Sequence, residues 1–402
     1  MAPALEVADV LNANWLPVQH SGRFNTWQLR TLDALRRCRT AALGSHVDGC
    51  TSCGHIRISY NSCRNRHCPK CQGNEREKWI QAREDELLPV PYFHVVFTLP
   101  DTLNQLCLYK PKVLYNLLFR AAWSVLNSFG HDHKWLGAQT GMISILHSWG
   151  QTMTLHPHLH CIVPGGGITR PSPLRGEGKG VRWKMAKSDG KYLFNVKAMS
   201  KVYRGRFIAA LKQQLPQEMT KELVNTLYKH NWVVYAKRPF SGPESVVEYL
   251  GRYTHKIAIS NHRMQSIEAG KVSFAYKDYR HGSVKKTMTL EAMEFIRRFS
   301  MHILPKGFVR IRHYGICSSS AKHKSALFIK AQLPPAVQLP SIAATKATLV
   351  AYNPKQCPCC KKETMETVMR FNRRGPPVDW KEQATDLMSC ISIAEVQKNE
   401  AV

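Results

Sequence analysis

Between Cys38 and Cys71 the chain carries six cysteines, with His46 and His67 interspersed. Cys50 and Cys53 form one Cys-x-x-Cys pair and Cys68 and Cys71 a second, with Cys63 between them and Cys38 upstream. No other stretch restricts the fold so tightly. Zinc takes four tetrahedral thiolate or imidazole ligands, and a Cys-x-x-Cys turn offers two of them from one side. Two such turns at this separation approach zinc-ribbon spacing, so the N-terminal region is expected to be a small domain nucleated by structural Zn²⁺. The candidate ligands Cys38, His46, Cys50, Cys53, Cys63, His67, Cys68 and Cys71 leave room for a second ion. Cys357 and Cys360 in "CPCC" make a weak case for a C-terminal metal, because no second pair stands beside them in the sequence. Thiols used as ligands and not as disulfides fit a reducing compartment. No apolar run approaches the roughly 18 residues of a membrane span. The N-terminus also lacks a signal-peptide layout, so a cytoplasmic location with no membrane partner is expected.

Lys and Arg number 57 against 28 Asp and Glu, a formal charge of +29 spread along the chain and not gathered in one tail. A globular protein this basic usually meets a polyanion, and nucleic acid leads the candidates. Arg57, Arg64, Arg66 and Lys70 sit among the cysteines, which directs that module toward phosphate as well. With 402 residues the chain has room for two or three domains. Composition separates residues 1–88, with the cysteine module and a charged helix, from 89–304 and from a basic, weakly patterned, partly disordered region 305–402. In the middle region "YFHVVFTLP", "GMISILHSWGQT" and "HLHCIVPG" read as buried strands, and 272–290 as shorter ones. Helices are expected at 26–37, 112–129, 198–214 and 243–257, and an exposed loop at 165–191.

"HPHLHCIVPGGG", residues 156–167, lines up three histidines at alternate positions. Residues i and i+2 of a strand share a face, so His158 and His160 point at one spot and can hold one cation. Pro157 cannot donate to a ladder, which leaves His156 at the strand's entrance. Gln151 is a reachable oxygen donor for a third ligand, with His94 and His147 as alternatives. Leu159 and Ile162 are expected to face the core, and Gly165, Gly166 and Gly167 to turn the chain into the exposed loop. Further on, "SGPESVVEYLGRYTHKIAISNHR" opens with Ser241 and Glu244 spaced as a capping box. A helix starting there stacks Tyr249 and Tyr253 on one face. Phenol oxygens accept phosphoryl groups when nearby cations reduce the cost of losing the proton. Arg252, Lys256 and Arg263 provide that setting.

"YNSCRNRHCPKCQ", "YFHVVFTLP", "LHPHLHCIVPGGG" and "YLGRYTHKIAISNHR" occur in this order. From about residue 15 to 320 the chain resembles the IS91 family of two-tyrosine rolling-circle transposases, which are HUH endonucleases. The resemblance implies an α+β fold: an antiparallel, RRM-like sheet with packed helices, preceded by a small zinc-binding domain. It implies His158 and His160 as ligands of Mg²⁺ or Mn²⁺ and Tyr249 and Tyr253 as nucleophiles. The implied partner is single-stranded DNA at transposon ends and target, nicked and transferred through a 5′-phosphotyrosine in the bacterial nucleoid. Such chemistry needs no nucleoside triphosphate, in keeping with the lack of a P-loop motif. Two other readings are an HUH replication initiator or relaxase, and a non-enzymatic zinc-dependent nucleic-acid-binding regulator. The regulator leaves both the histidine and the tyrosine pairs without a purpose.

Overall fold

A computed structural model describes residues 5–71, 87–88, 90–169, 182–187, 192–240, 246, 257–279, 281–321, 329, 331 and 353–399. The chain forms two units, Met1–Cys71 with Ser341–Val402, and Gln72–Pro340. The expected three consecutive blocks are not what forms. The C-terminal region is divided, because its first strand completes the sheet of one unit and a later strand completes the sheet of the other.

In the first unit the helices Val7–Ala13, Trp15–His20 and Thr26–Arg36 precede the cysteines. The third starts at Asn25, whose side chain accepts from the Gln28 amide while Gln28 Oε1 accepts from the Asn25 amide. Leu32 and Leu35 on this helix and Val10 and Leu11 on the first are buried. A three-stranded antiparallel sheet follows, with β1 (Ser45–Cys50) between β2 (Ile56–Tyr60) and β13 (Met365–Phe371).

The second unit is built on five antiparallel strands: β3 (Tyr92–Thr98), β4 (Gly141–Trp149), β5 (Leu155–Pro164), β8 (Val234–Phe240) and β12 (Ile311–Gly315). Their order is β12-β4-β5-β3-β8, which puts β5 at the centre. Strand alternation sorts its side chains. Leu159, Cys161 and Val163 pack with Phe97 and Leu146 into one core, closed by Leu118 and Leu126 of the helix Pro111–His131 and Phe207 of the helix Val196–Gln214. His158, His160 and Ile162 take the other face. Ile162 lies there with Tyr92, Ile143 and Ile145 in a separate apolar cluster. Leu159 and Ile162 are both fully buried as expected, but in two cores on opposite faces of the sheet, since positions three apart on a strand point oppositely.

The glycines after β5 also depart from expectation. Gly166 and Gly167 are buried in β6 (Gly166–Thr169), which pairs with β7 (Arg182–Met185) instead of turning outward. A Cβ on Gly166 would run into the Trp183 ring, and one on Gly167 would stand 2.6 Å from the Gln139 carbonyl. A three-stranded meander, β9 (Met264–Glu268), β10 (Lys271–Asp278) and β11 (Val284–Glu291), leads into the helix Ala292–Ser300. Phe295 on that helix packs edge-on against Phe274. Among the described residues no helix is long and apolar enough to cross a membrane.

Candidate functional site

β4 and β5 pair so that His147 stands directly across from His158. Alternation then brings His160 to the same face, and one ring nitrogen from each of the three lies within 4.8 Å of the others. The Nδ1–H of His158 donates to the His156 carbonyl over 2.7 Å. That leaves its Nε2 turned toward His160 Nε2, 3.1 Å away. A spacing of about 3 Å is what two neighbouring ligands show when each sits roughly 2.1 Å from a shared ion. His160 is secured from behind, its Nδ1 lying 2.9 Å from Nε2 of His94. Burial, and secondarily the charge of Lys237, pushes His94 down to about 4. A metal on His160 Nε2 would leave the ring's proton on Nδ1, from where it would donate to the neutral His94 Nε2. Such bonds fix the tautomer and orientation of a ligating imidazole. At the β8 edge the same face carries Tyr235 and Lys237, opposite Val96 and His94. Both are exposed, and neither stood out in the sequence.

Gln151 does not join this centre; His147 does. The Gln151 Oε1 instead accepts from the Lys277 amide at 3.5 Å, and its carbonyl accepts from Arg263 Nη2 at 2.5 Å. Arg263 also donates to the carbonyls of Ala275 and Ala258, at 2.7 and 3.4 Å. Its guanidinium, expected at phosphate, braces the turn between β4 and β5. Arg298 donates to Thr152 O at 3.2 Å, and buried His302 donates from Nε2 to Met153 O at 3.1 Å. The other nitrogen of His302 accepts from Ser148 at 3.1 Å, and burial holds this ring at about 4, hence neutral. Met153 is fully buried with φ +56°. A non-glycine residue keeps such a backbone only where its surroundings over-determine it. Here that surrounding is the set of ties on the turn. Tyr249, Tyr253, Arg252 and Lys256 lie outside the described residues.

Cys38, Cys63, Cys68 and Cys71 form a second cluster, with Cys71 Sγ 3.6 Å from both Cys38 and Cys63. That is too long for a disulfide at about 2.05 Å. It is near the edge of about 3.8 Å that a tetrahedron with Zn–S distances of about 2.3 Å would have. The other Cys-x-x-Cys pair, Cys50 and Cys53, is not part of this group; it converges with Cys357 and Cys360. His46 and His67 belong to neither group. His46 Nε2 stands 3.6 Å from Asp48 Oδ2, and the His67 amide donates to Asn65. Of the interleaved basic residues, Lys70 pairs with Glu6 and Arg57 with Asp48. Arg66 is half-buried and Arg64 exposed.

A sheet with a three-imidazole centre, in a basic chain with a cysteine-rich module, is the frame of a metal-using protein that handles nucleic acid. A family model described as "Putative transposase" matches residues 141–325, and one described as "Transposase zinc-binding domain" matches residues 10–99. The chain is 40% identical over 400 residues to "Putative transposase y4qJ" of Sinorhizobium fredii (strain NBRC 101917 / NGR234), covering 93% of this chain and 98% of that one. It is 28% identical over 316 residues to "Transposase for insertion sequence element IS801" of Pseudomonas savastanoi pv. phaseolicola, covering 77% of this chain and 74% of that one. No solved structure shows a significant match. The chain belongs to the IS91 family of transposases, with an N-terminal zinc-binding domain. Its substrate is DNA, and its cysteines support a structural Zn²⁺.

Proposed function

We propose that the protein nicks and transfers single-stranded DNA in rolling-circle transposition by metal-assisted transesterification, in the bacterial cytoplasm at the nucleoid. The observation that supports this most is the imidazole centre, with the Nε2 atoms of His158 and His160 3.1 Å apart and both rings held from behind. His147, His158 and His160 would hold a divalent ion, which when bound polarises a phosphate oxygen and offsets charge in an in-line transition state. Imidazole nitrogens suit a transition ion better than Mg²⁺, so Mn²⁺ is expected to support nicking at lower concentration than Mg²⁺. Tyr249 or Tyr253 supplies the attacking phenol oxygen. A P–O bond forms to tyrosine as the bond to the 3′ oxygen breaks, and that oxygen takes up a proton to leave a free 3′-OH. The 5′-phosphotyrosine retains the phosphodiester energy, and the other tyrosine serves the second strand. The strand approaches across β8, where Lys237 meets phosphate and Tyr235 stacks on a base.

The test uses labelled single-stranded oligonucleotides from the flanks of the protein's own gene, with Mg²⁺ or Mn²⁺. The expected product is a cleaved strand covalently bound to protein. The Tyr249→Phe, Tyr253→Phe double variant should bind the strand and form no adduct. An undiminished adduct from that variant removes the nucleophile assignment. A wild-type protein that binds but never nicks favours the regulator.

A further inference from the structure

We infer that Cys50, Cys53, Cys357 and Cys360 form a second Zn²⁺ site, a zinc ribbon divided between the two ends of the chain. The four Sγ atoms lie within 4.8 Å of one another, with Cys50–Cys360 and Cys53–Cys357 each at 3.6 Å. As in the other cysteine group, that spacing suits a tetrahedral metal and excludes a disulfide. The two ligand loops also share one backbone design. The Gly54 amide donates to the Cys50 carbonyl at 2.9 Å, and the Lys361 amide donates to the Cys357 carbonyl at 3.0 Å. Both Gly54 and Lys361 have positive φ, +69° and +63°. Each Cys-x-x-Cys is thus followed by a left-handed residue that folds the turn back and directs two sulfurs to one side. A lysine in that conformation departs from the usual glycine, and the matching loop opposite gives it a reason.

The surroundings complete a closed structural site. Cys50 and Cys357 are buried together with Met365. Thr364 Oγ1 lies 3.1 Å from Cys50 Sγ, placed to donate to a metal-bound thiolate. The Thr51 amide donates to the Thr364 carbonyl, and β1 pairs with β13 from Ser45 opposite Phe371 to Cys50 opposite Met365. Four thiolates leave no position for water, so the ion stabilises the fold and does no chemistry. Cys359 lies exposed between the ligands and outside the group. The zinc-binding domain as matched ends at residue 99 and contains only two of these four ligands.

With the imidazole centre removed by His158→Ala and His160→Ala, zinc counted by mass spectrometry on the full-length protein should give two ions per chain. Cys357→Ser with Cys360→Ser should lower this to one, whereas Cys359→Ser should retain two. Wild type offers an independent readout, because Cys53 and Cys359 are both exposed. In the metal-loaded protein N-ethylmaleimide should label Cys359 at least tenfold faster than Cys53, and a chelator should abolish the difference. Equal labelling of Cys53 and Cys359 in the loaded protein overturns the site, as does one zinc in the parent lacking the imidazole centre, or two once Cys357 and Cys360 are also replaced. If the double variant misfolds and releases both ions, the labelling of wild type decides.

Discussion

At the scale of single residues, the candidate centre depends on which side chains the strand register brings together. His158 and His160 were legible because two positions apart on a strand means one face. His147 was visible only as an alternative, since one histidine in "SILHSW" reads equally well as a core residue until its partner across the sheet is known. Gln151 was reachable by chain distance, but the Lys277 amide and Arg263 engage it elsewhere. Replacing His147 by Ala should weaken Mn²⁺ binding by at least about tenfold, the lower end of what even an outer-shell partner costs, and should stop nicking. Gln151→Ala should leave the metal affinity near wild type. Titration of Mn²⁺ followed by electron paramagnetic resonance separates the two variants. Tyr235→Ala should cost about 1–3 kcal/mol of single-strand affinity if one base stacks there. Fluorescence anisotropy with a labelled oligonucleotide measures that loss, and an unchanged affinity would remove Tyr235 from the DNA path.

At the scale of elements, the meander β9–β11 and the helix after it hold the turn between the two histidine-bearing strands. The short strands in 272–290 were legible from their β-branched pattern. Their task was not, because it runs through side chains reaching carbonyls such as that of Gln151, 112 positions away. Arg263 looked like a phosphate contact for the same reason. The two roles separate in salt: losing one phosphate contact reduces the dependence of binding on ionic strength by about one unit of slope. Arg263→Ala should leave that slope unchanged while lowering Tm and nicking. Glu294 organises the neighbouring brace by binding both Arg297 and Arg298. The hydrogen bond from Arg297, against a burial penalty and with help from Arg298, holds its carboxyl at about 2. Because this lies below the ordinary value of about 4.3, the stabilisation is complete above that value and is lost as pH falls toward 2. The Tm difference between wild type and Glu294→Gln should therefore stay constant near pH 6 and shrink as pH falls from about 4.3 toward 2 in calorimetry.

At the scale of the whole molecule, the sequence divides the chain into consecutive blocks, whereas the fold returns the C-terminal segment to the first unit. No local pattern could reveal this. "CPCC" looked unpartnered because its partner lies at the other end of the chain, and spacing arguments consider only neighbours. A chain ending at residue 340 should keep β3, β4, β5, β8 and β12 but leave one edge of β1 unpaired. Amides of residues 45–50 should then exchange with deuterium much faster than in the full chain, as hydrogen-exchange mass spectrometry would show. The same return path sets a schedule for synthesis. Cys50 and Cys360 are 310 positions apart, so at roughly 5–20 residues per second the ribosome delivers the second about 15–60 s after the first. Throughout that interval the nascent N-terminus carries two unpartnered cysteines and an open strand edge, and the histidine hairpin of β4 and β5 is made well before the interval ends. A chain interrupted by a late stop codon or a frameshift would carry the three histidines of β4 and β5 but lack β13 and, with an earlier break, Cys357 and Cys360 as well.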